Sequence, residues 1–466
     1  GKELGIYHSR FSDNERVEVW NGVAAGTFRV VVGVRSSVFL PFENLGLVIV
    51  DEEHDPSYKQ DRSPRYHARD TALMLARIHH AQILLGTGTP SVESWYHVQQ
   101  GNFRKAELTE RYGSSQLPDI RIANIGFERR NKTLKGSFTL EMLKAMEAAL
   151  AAGDQIILFQ NRRGYAPCLE CEDCGHVSKC VNCSVSLTYH QFRNALICHY
   201  CGYRESIPTK CPSCSGTALL SQGPGTEKLE EEVKLHFPDI STERMDLDST
   251  RSRQGYERII DHFALGKSRI LIGTQMVTKG LDFDHVGLVG VFDTDRMMHF
   301  PDFRSRERAF QVITQVSGRS GRREKKGQVI IQSNDPDHPL FGFIREHRVK
   351  EFLTTELADR ETMHYPPYTR LIEITFRHPD RAMAESAAVW FAGQSRKAIE
   401  GVTVLGPAEP AVSRIRNEFL QTILIKIPRS FSALAHVKAR LARIAELLRT
   451  DRNYQKLRMI FDVDPV

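Results

Sequence analysis

Val48-Ile49-Val50-Asp51-Glu52-Glu53-His54 is an apolar run that ends abruptly in three acids and a histidine. A run of valine and isoleucine without polar alternation suits a parallel strand buried on both faces. At the C-terminal edge of a parallel sheet, Asp51 can hold Mg²⁺ while Glu52 polarises an attacking water. A strand followed by a solvated acidic turn would look the same, so the neighbouring stretches decide. Phe28 to Gly33, Leu45 to Val50 and Ile83 to Gly86 repeat the pattern, with a helix from Asp70 to His79 among them. Residues 1–113 therefore read as α/β. Residues 114–138 are polar and irregular and read as a link.

A second α/β region follows. Ser137 or Thr139 can cap a helix with Leu140, Leu143, Met146 and Leu150 on one face, stopped by Gly153. The runs Ile156 to Phe159, Arg269 to Ile272, Val286 to Phe292 and Gln328 to Gln332 are its strands. From about 368 the order becomes strand (Leu371–Phe376), helix (Asp380–Glu400), strand (Val402–Leu405), strand (Thr422–Ile427), helix (Ser430–Arg449) and strand (Arg458–Val463). That is a split, ferredoxin-like arrangement.

The second region is interrupted by Cys171-x-x-Cys174, Cys180-x-x-Cys183, Cys198-x-x-Cys201 and Cys211-x-x-Cys214, four pairs within 44 residues. Two intervening residues let both sulfurs of a turn reach one ion, so eight thiolates predict two tetrahedral Cys₄ zinc sites. Disulfides would suit a small secreted domain, and this is a 53 kDa chain without an apolar leader. An iron–sulfur cluster fits the even pairing, with Gly175, Gly202 and Gly216 nearby, less well. The doublets allow three pairings. Gaps of 5, 14 and 9 residues make a nested scheme sterically easy, with Cys180/Cys183 joining Cys198/Cys201 inside Cys171/Cys174 and Cys211/Cys214. His199 lies between ligands and is not expected to be one.

At 466 residues the chain is too long for one core. No apolar run approaches the roughly 18 residues that a membrane span needs. A net charge of +6 is compatible with nucleic acid but weak support for it.

Three more stretches follow strands. Gly86-Thr87-Gly88-Thr89-Pro90 offers small hydroxyl residues that could sense a γ-phosphate. Gly273 to Phe283 places Thr274, Lys279, Gly280 and Asp282 where amides and an ammonium could approach phosphates. Gln315-Val316-Ser317-Gly318-Arg319-Ser320-Gly321-Arg322-Arg323 carries two arginines three apart, expected on one helical face, able to contact a triphosphate as an arginine finger does.

In this order, and with Leu158 to Tyr165 directly before the cysteines, these motifs resemble those of superfamily 2 helicases, and among them the PriA (primosomal protein N′) family. The resemblance covers essentially the whole chain. It implies two RecA-like P-loop NTPase lobes, the first incomplete, with a zinc-binding insertion in the second and an α+β ferredoxin-like C-terminal domain. The expected limits are 1–113 for the first lobe, 114–165 with 221–345 for the second, 166–220 for the zinc module and 346–466 for the C-terminal domain. It implies an ATP-dependent 3′-to-5′ DNA helicase that recognises stalled or abandoned forks and starts primosome assembly. It implies two Zn²⁺ and Mg²⁺ with ATP, and as partners forked and single-stranded DNA, single-stranded-DNA-binding protein and other primosome proteins. A cytoplasmic, nucleoid-associated place in a bacterium is expected, with no membrane.

Residue by residue, the resemblance assigns Asp51, Glu52, Arg319 and Arg322 to hydrolysis, and Gly280, Asp282 and Gln315 to ATP. It assigns Arg35, Ser36, Tyr58, Lys59, Arg65, Tyr66, Thr274 and Lys279 to DNA. Ser57 to Asp70 matches the aromatic-rich loop that couples DNA contact to hydrolysis; its tyrosines offer stacking faces, and Lys59, Arg62, Arg65 and Arg69 offer phosphate contacts. The resemblance also implies the nested zinc pairing; Cys168-x-x-Cys171 is a rival doublet, but Cys171-x-x-Cys174 keeps the family's register and leaves Cys168 a spare thiol. Asp293, Asp295 and Pro301-Asp302-Phe303-Arg304 are expected beside the cleft, and Arg414 and Arg416 are weak candidates in the last domain. Two departures stand out: Gly88 replaces the family's usual alanine, and the G-x-x-x-x-G-K-[ST] loop and N-terminal DNA-binding domain are missing. This stretch alone is therefore expected to bind ATP poorly. A zinc-stapled DNA-binding platform with dispensable hydrolysis is the competing class.

Overall fold

The computed structural model describes residues 3–8, 11–110, 116–161, 168–190, 193–220, 226–246, 249–250, 253–278, 283–321, 326–429 and 434–465. Two units result, Gly1–Trp95 with Asp462–Val466, and Tyr96–Phe461. The first holds β1 (Leu4–Tyr7), α1 (Asp13–Ala24), β2 (Val30–Gly33), β3 (Leu47–Val50), α2 (Ala68–Ile78) and β4 (Gln82–Leu85), and α3 (Val92–Gln99) begins in it. A capping box starts α1: Ser12 Oγ accepts from the Glu15 amide while Glu15 accepts from the Ser12 amide.

The strands of this unit are parallel, as their composition predicts, but β1–β2 and β3–β4 form separate two-stranded sheets. The expectation that both faces are buried fails here. Leu47 and Ile49 on β3 are 53% and 63% exposed, and Val30, Val32 and Leu84 are exposed too. No described element covers that face, whereas Val50 on the opposite face is buried.

In the second unit the expectation holds. β5 (Asp119–Asn124), α4 (Ile125–Arg130), α5 (Leu140–Ala151) and β6 (Gln155–Gln160) lead into it. Thr139 Oγ1 accepts from the Met142 amide, so Thr139 is the cap of α5, and Gly153 at φ +83° ends the turn beyond it. The cysteine segment follows with β7 (Glu170–Cys171), β8 (Thr188–His190), β9 (Ala195–Ile197), β10 (Arg204–Ser206) and β11 (Leu219–Leu220). The lobe then resumes with α6 (Thr226–His236), β12 (Thr242–Met245), α7 (Arg253–Ala264), β13 (Ile270–Gly273), β14 (Val286–Phe292), α8 (Thr294–Met298), α9 (Ser305–Ser317) and β15 (Gln328–Ser333). Its six-stranded sheet runs β12-β13-β6-β14-β15-β5, and every pairing is parallel. All residues of β6 and β13 are buried, with Met142 and Met146 of α5 and Leu229 and Val233 of α6 packed on Ile156, Leu158, Ile270 and Ile272. Each such side chain contributes roughly 1.5–3 kcal/mol. Since β6 is central and the cysteines leave from its end, the thiol-rich segment is an insertion in this lobe.

The reading of 114–138 as a link is corrected. β5 lies inside it and pairs with β15 at the sheet edge. Its buried Ile120 and Ala123 are interleaved with Asp119, Arg121 and Asn124, because an edge strand keeps polar residues where it meets solvent.

α10 (Pro339–Arg345) and α11 (Val349–Thr362) lead to β16 (Thr369–His378), α12 (Arg381–Ala398), β17 (Thr403–Ala408), β18 (Arg414–Ile415), β19 (Glu418–Pro428), α13 (Leu434–Thr450) and β20 (Arg458–Val463). The order β17-β19-β16-β20 is the ferredoxin-like one expected, with β18 added beside β19. Ile374, Phe376, Ile423 and Ile425 of the sheet meet Phe391 of α12 and Leu441 of α13 in one core. No described helix is long and apolar enough to cross a membrane.

Candidate nucleotide site and metal centres

β3 and β4 end side by side, so the acidic stretch and the Gly86–Pro90 stretch emerge together. The Glu53 amide bonds the Gly86 carbonyl at 3.1 Å. Asp51 is exposed; its carboxylate accepts the Glu52 amide at 2.9 Å and lies about a van der Waals contact from where a Gly86 Cβ would sit. Glu52 adopts φ +46°, a conformation that costs an L residue energy and that is held at functional turns. His54 Nδ1 meets Thr87 Oγ1 at 2.8 Å and Glu52 at 3.6 Å, so a hydroxyl of the second stretch reads the position of the first. A Cβ at Gly88 would meet nothing within 4 Å, so alanine and glycine fit there equally.

Glu53, which sequence reasoning left without a role, is the buried centre of this group at 1% exposure. Its carboxylate accepts from the Ser91 amide (2.7 Å), Ser91 Oγ (3.0 Å) and Ser94 Oγ (2.8 Å), and pairs with Arg69 Nη1 at 2.9 Å. The acids Asp70 and Glu53 hold the Arg69 guanidinium above its usual range against the opposing effect of burial. The signal was a second glutamate directly after Asp51 and Glu52, with two serines following Pro90.

The aromatic-rich loop is arranged differently from expectation. Lys59 is 5% exposed, bonds the carbonyls of Val463 and Asp464, and pairs with Asp462 at 2.9 Å. Arg65 pairs with the other oxygen of Asp462 at 2.5 Å. A buried ammonium needs such compensation, so in this arrangement both cations face the chain's last residues rather than a phosphate track. Arg35 Nη1 donates to the carbonyls of Ser57 and Lys59, bracing the loop; Ser36 sits beside it on the same short helical turn. Tyr58 donates to the Asp51 carbonyl at 2.6 Å, and burial, then Asp55 and Asp51, push its hydroxyl up to about 12. Tyr66 packs edge-on against Phe39 at 4.7 Å. Arg62 is the loop's exposed cation.

In the second unit Thr274 follows β13, and its carbonyl accepts the Val277 amide. Gln315 lies half-buried on α9. That helix ends at Ser317, so Arg319 sits past it in a turn. Arg322, Lys279, Gly280 and Asp282 lie outside the described residues, as does the Arg162–Tyr165 stretch. Asp293 accepts from Gln160, and Asp295 is held by Ser333 and the Asn334 amide; burial raises the Asp295 carboxyl to about 6.

The cysteines form two sets, Cys171/Cys174/Cys211/Cys214 and Cys180/Cys183/Cys198/Cys201, each with its sulfurs within 4.8 Å of one another. Of the three pairings, the nested one is present. Sulfur separations of 3.6, 3.6 and 3.5 Å are far beyond a disulfide. They match the edge of a tetrahedron with Zn–S near 2.3 Å, about 3.8 Å, so the residues fit zinc. Each doublet is built alike. The first cysteine's amide bonds the carbonyl five residues on, and its carbonyl accepts the amide four residues on. That fourth residue is left-handed: Gly175, Ser184, Gly202 and Ser215, with φ between +54° and +79°. Of the glycines noted in the sequence, Gly216 is therefore not a turn residue; Ser215 is. The hydrogen bond from Cys183 pulls the Cys198 thiol down to about 5, and the same bond pushes Cys183 up, so in the metal-free set one sulfur takes the charge at its neighbour's expense. Cys168 belongs to neither set; its Sγ donates to the His299 carbonyl, and burial raises it to about 12. His199 bonds the Glu409 carbonyl and is no ligand.

The two sets differ in access. In the outer set Cys214 is exposed and Cys174 half-exposed, with Cys171 and Cys211 buried, whereas in the inner set Cys201 is half-exposed and the other three are at most 2% exposed. With both sites loaded, a chelator should therefore strip zinc in two phases, and Cys214→Ser should abolish the fast one. A single phase from the intact protein would show that the two sites are equally open.

Three family patterns match the chain: the PriA DNA helicase Cys-rich region at 180–205, the helicase conserved C-terminal domain at 221–324 and the primosomal protein N C-terminal domain at 361–466. Replication restart protein PriA of Bacillus subtilis is 37% identical over 466 residues, all of this chain and 57% of that protein. That of Haemophilus influenzae is 39% identical over 99% of this chain and 62% of its own length; that of Rickettsia felis, 36% over 94% and 67%. The chain thus spans about three-fifths of the relatives' length. With this identity running through both units and the cysteines, the chain belongs to the replication restart protein PriA family.

Proposed function

We propose that the chain is the motor and zinc-bearing part of an ATP-dependent 3′-to-5′ DNA helicase that recognises stalled or abandoned forks and starts primosome assembly. Its domains run 1–113 (first lobe), 114–165 with 221–345 (second lobe), 166–220 (zinc module) and 346–466. The observation that carries this is the whole-length identity to replication restart proteins. In the first unit, Asp51 would hold Mg²⁺ with ATP and Glu52 would orient and deprotonate the attacking water; Thr87, through His54, would report on that geometry. In the second, Gln315 and Arg319 would serve the nucleotide, with Arg322, Gly280 and Asp282. Thr274, Lys279, Ser36, Tyr66 and the exposed Arg62 would meet DNA. Arg69 ties the loop to Glu53, two residues from Asp51, which supports coupling between DNA contact and hydrolysis. Forked and single-stranded DNA, single-stranded-DNA-binding protein and primosome proteins are the partners, in the bacterial cytoplasm at the nucleoid.

The test uses a protein of the relatives' full length that carries this chain. DNA should stimulate its ATPase, and forked DNA should yield a displaced strand. ATPase without displaced strand would indicate a duplex translocase; displacement without ATPase would leave only the platform reading.

A further inference from the structure

Within the second unit, the inner cysteine set is held from two sides. Cys180, Cys183, Val185, Leu187, Leu196 and Cys198 form a small apolar core that packs on Phe303 of the second lobe and Leu405 of the C-terminal domain. The Tyr365 hydroxyl donates to the Cys183 carbonyl at 3.1 Å. Its ring stacks on Phe303 at 4.4 Å and 2°, and Phe303 in turn carries Arg304 at 4.2 Å. On Tyr365 sits Lys426 of β19, its ammonium 3.5 Å from the ring centroid and bonded to the Met363 carbonyl at 2.8 Å. A Cβ at Gly202 would lie 3.1 Å from the Pro407 carbonyl, so the turn of the second inner doublet abuts the same domain. The outer set is tied differently: Arg129 and Arg130 of α4 bond the carbonyls of Glu172 and Asp173.

Lys426 poses a charge problem. It is 7% exposed, and no carboxylate is among the described groups that act on it; burial and the Cys183 sulfur do. A carbonyl and an aromatic face are weak compensation for a buried ammonium. Four thiolates around a divalent ion leave a net charge of −2, and the backbone of one of those cysteines is one hydrogen bond from the ring on which Lys426 rests. Four neutral thiols would supply no charge.

We propose that the 180/183/198/201 site is the pin that seats the C-terminal domain on the second lobe, with Lys426 and Tyr365 as its outer-sphere positioning residues. Loading the site balances Lys426; by linkage, seating Lys426 tightens the hold on the ion. The Pro301–Arg304 stretch, expected beside the nucleotide cleft, takes its place in this joint through Phe303. The inference rests on the sites holding a divalent ion, so metal content is measured first.

The experiment reconstitutes the whole chain with Co²⁺ in a Cys214→Ser background, which leaves the inner set as the one complete Cys₄ site. Competition with a chromogenic chelator then reads its affinity from the cobalt–thiolate absorption. Lys426→Met should weaken it about 10–100-fold, as loss of an outer-sphere partner typically does, and Lys426→Arg should restore most of it. Removing the ion from the parent chain should speed hydrogen exchange at 363–369 and 403–409. An unchanged affinity in Lys426→Met overturns the proposal, as does exchange that ignores the metal. Should Lys426→Met fold badly, Tyr365→Phe keeps the ring and loses the bond to Cys183, and the exchange measurement needs no variant. A chain that takes up no metal at all refutes the zinc reading itself.

Discussion

Glu53→Ala should destabilise the first unit by about 3–5 kcal/mol, the usual cost of removing one partner of a buried charge pair. Four groups lose their acceptor at once: the Ser91 amide, two serine hydroxyls and the Arg69 guanidinium. Arg69 would retain a second partner in Asp70, but that carboxylate is half-exposed and screened. Glu53→Gln is the informative companion. An amide oxygen can still accept from Ser91, while the charge opposite Arg69 is gone, so its cost should be smaller yet clearly measurable. Hydrogen exchange across residues 47–95 reads the effect without assuming that the whole chain unfolds in one step. Protection unchanged by Glu53→Ala would mean that the acidic stretch is held by its strand alone. The same substitution should weaken the tie between the aromatic-rich loop and the acidic turn, since Arg69 bonds Glu53, the residue after Glu52.

The elements that periodicity could identify were those buried on both faces or amphipathic over several turns. β6, β13 and β14 follow from apolar runs, α5 from its spacing and cap, and the C-terminal order from alternating strands and helices. β5 escaped because an edge strand mixes apolar and polar residues and so resembles a loop. The cysteine sets were legible because coordination chemistry dictates spacing. The left-handed residue closing each doublet was half-legible, glycine at 175 and 202 but serine at 184 and 215. The loop cations were least legible. Lys59, Arg65 and Arg62 look alike in sequence, and what separates them is Asp462, 397 residues beyond Arg65, which takes two and leaves the third in solvent. Local pattern has no access to a partner that distant. Glu53 was hidden for the opposite reason, standing next to residues whose chemistry was more conspicuous.

On the proposed role, Glu52→Gln in a protein of the relatives' full length that carries this chain should leave the fold intact and reduce DNA-stimulated ATP hydrolysis by about 10²–10⁴-fold, the range that a positioned general base supplies. The carboxamide has the carboxylate's shape, and the Glu52 side chain is 41% exposed, so stability should move by no more than about 0.5 kcal/mol. What is lost is the capacity to take a proton from water. Two comparisons keep a chemical effect apart from a structural one. ATP and fork binding should survive in Glu52→Gln, because neither needs the base. Thr87→Ala should cut the contact with His54 and, on the proposed roles, lower stimulation by DNA more than the basal rate, since it would remove a reporter and not the base. Unwinding of forked DNA at an undiminished rate by Glu52→Gln would sink the motor reading and leave a zinc-stapled platform whose lobes are scaffold.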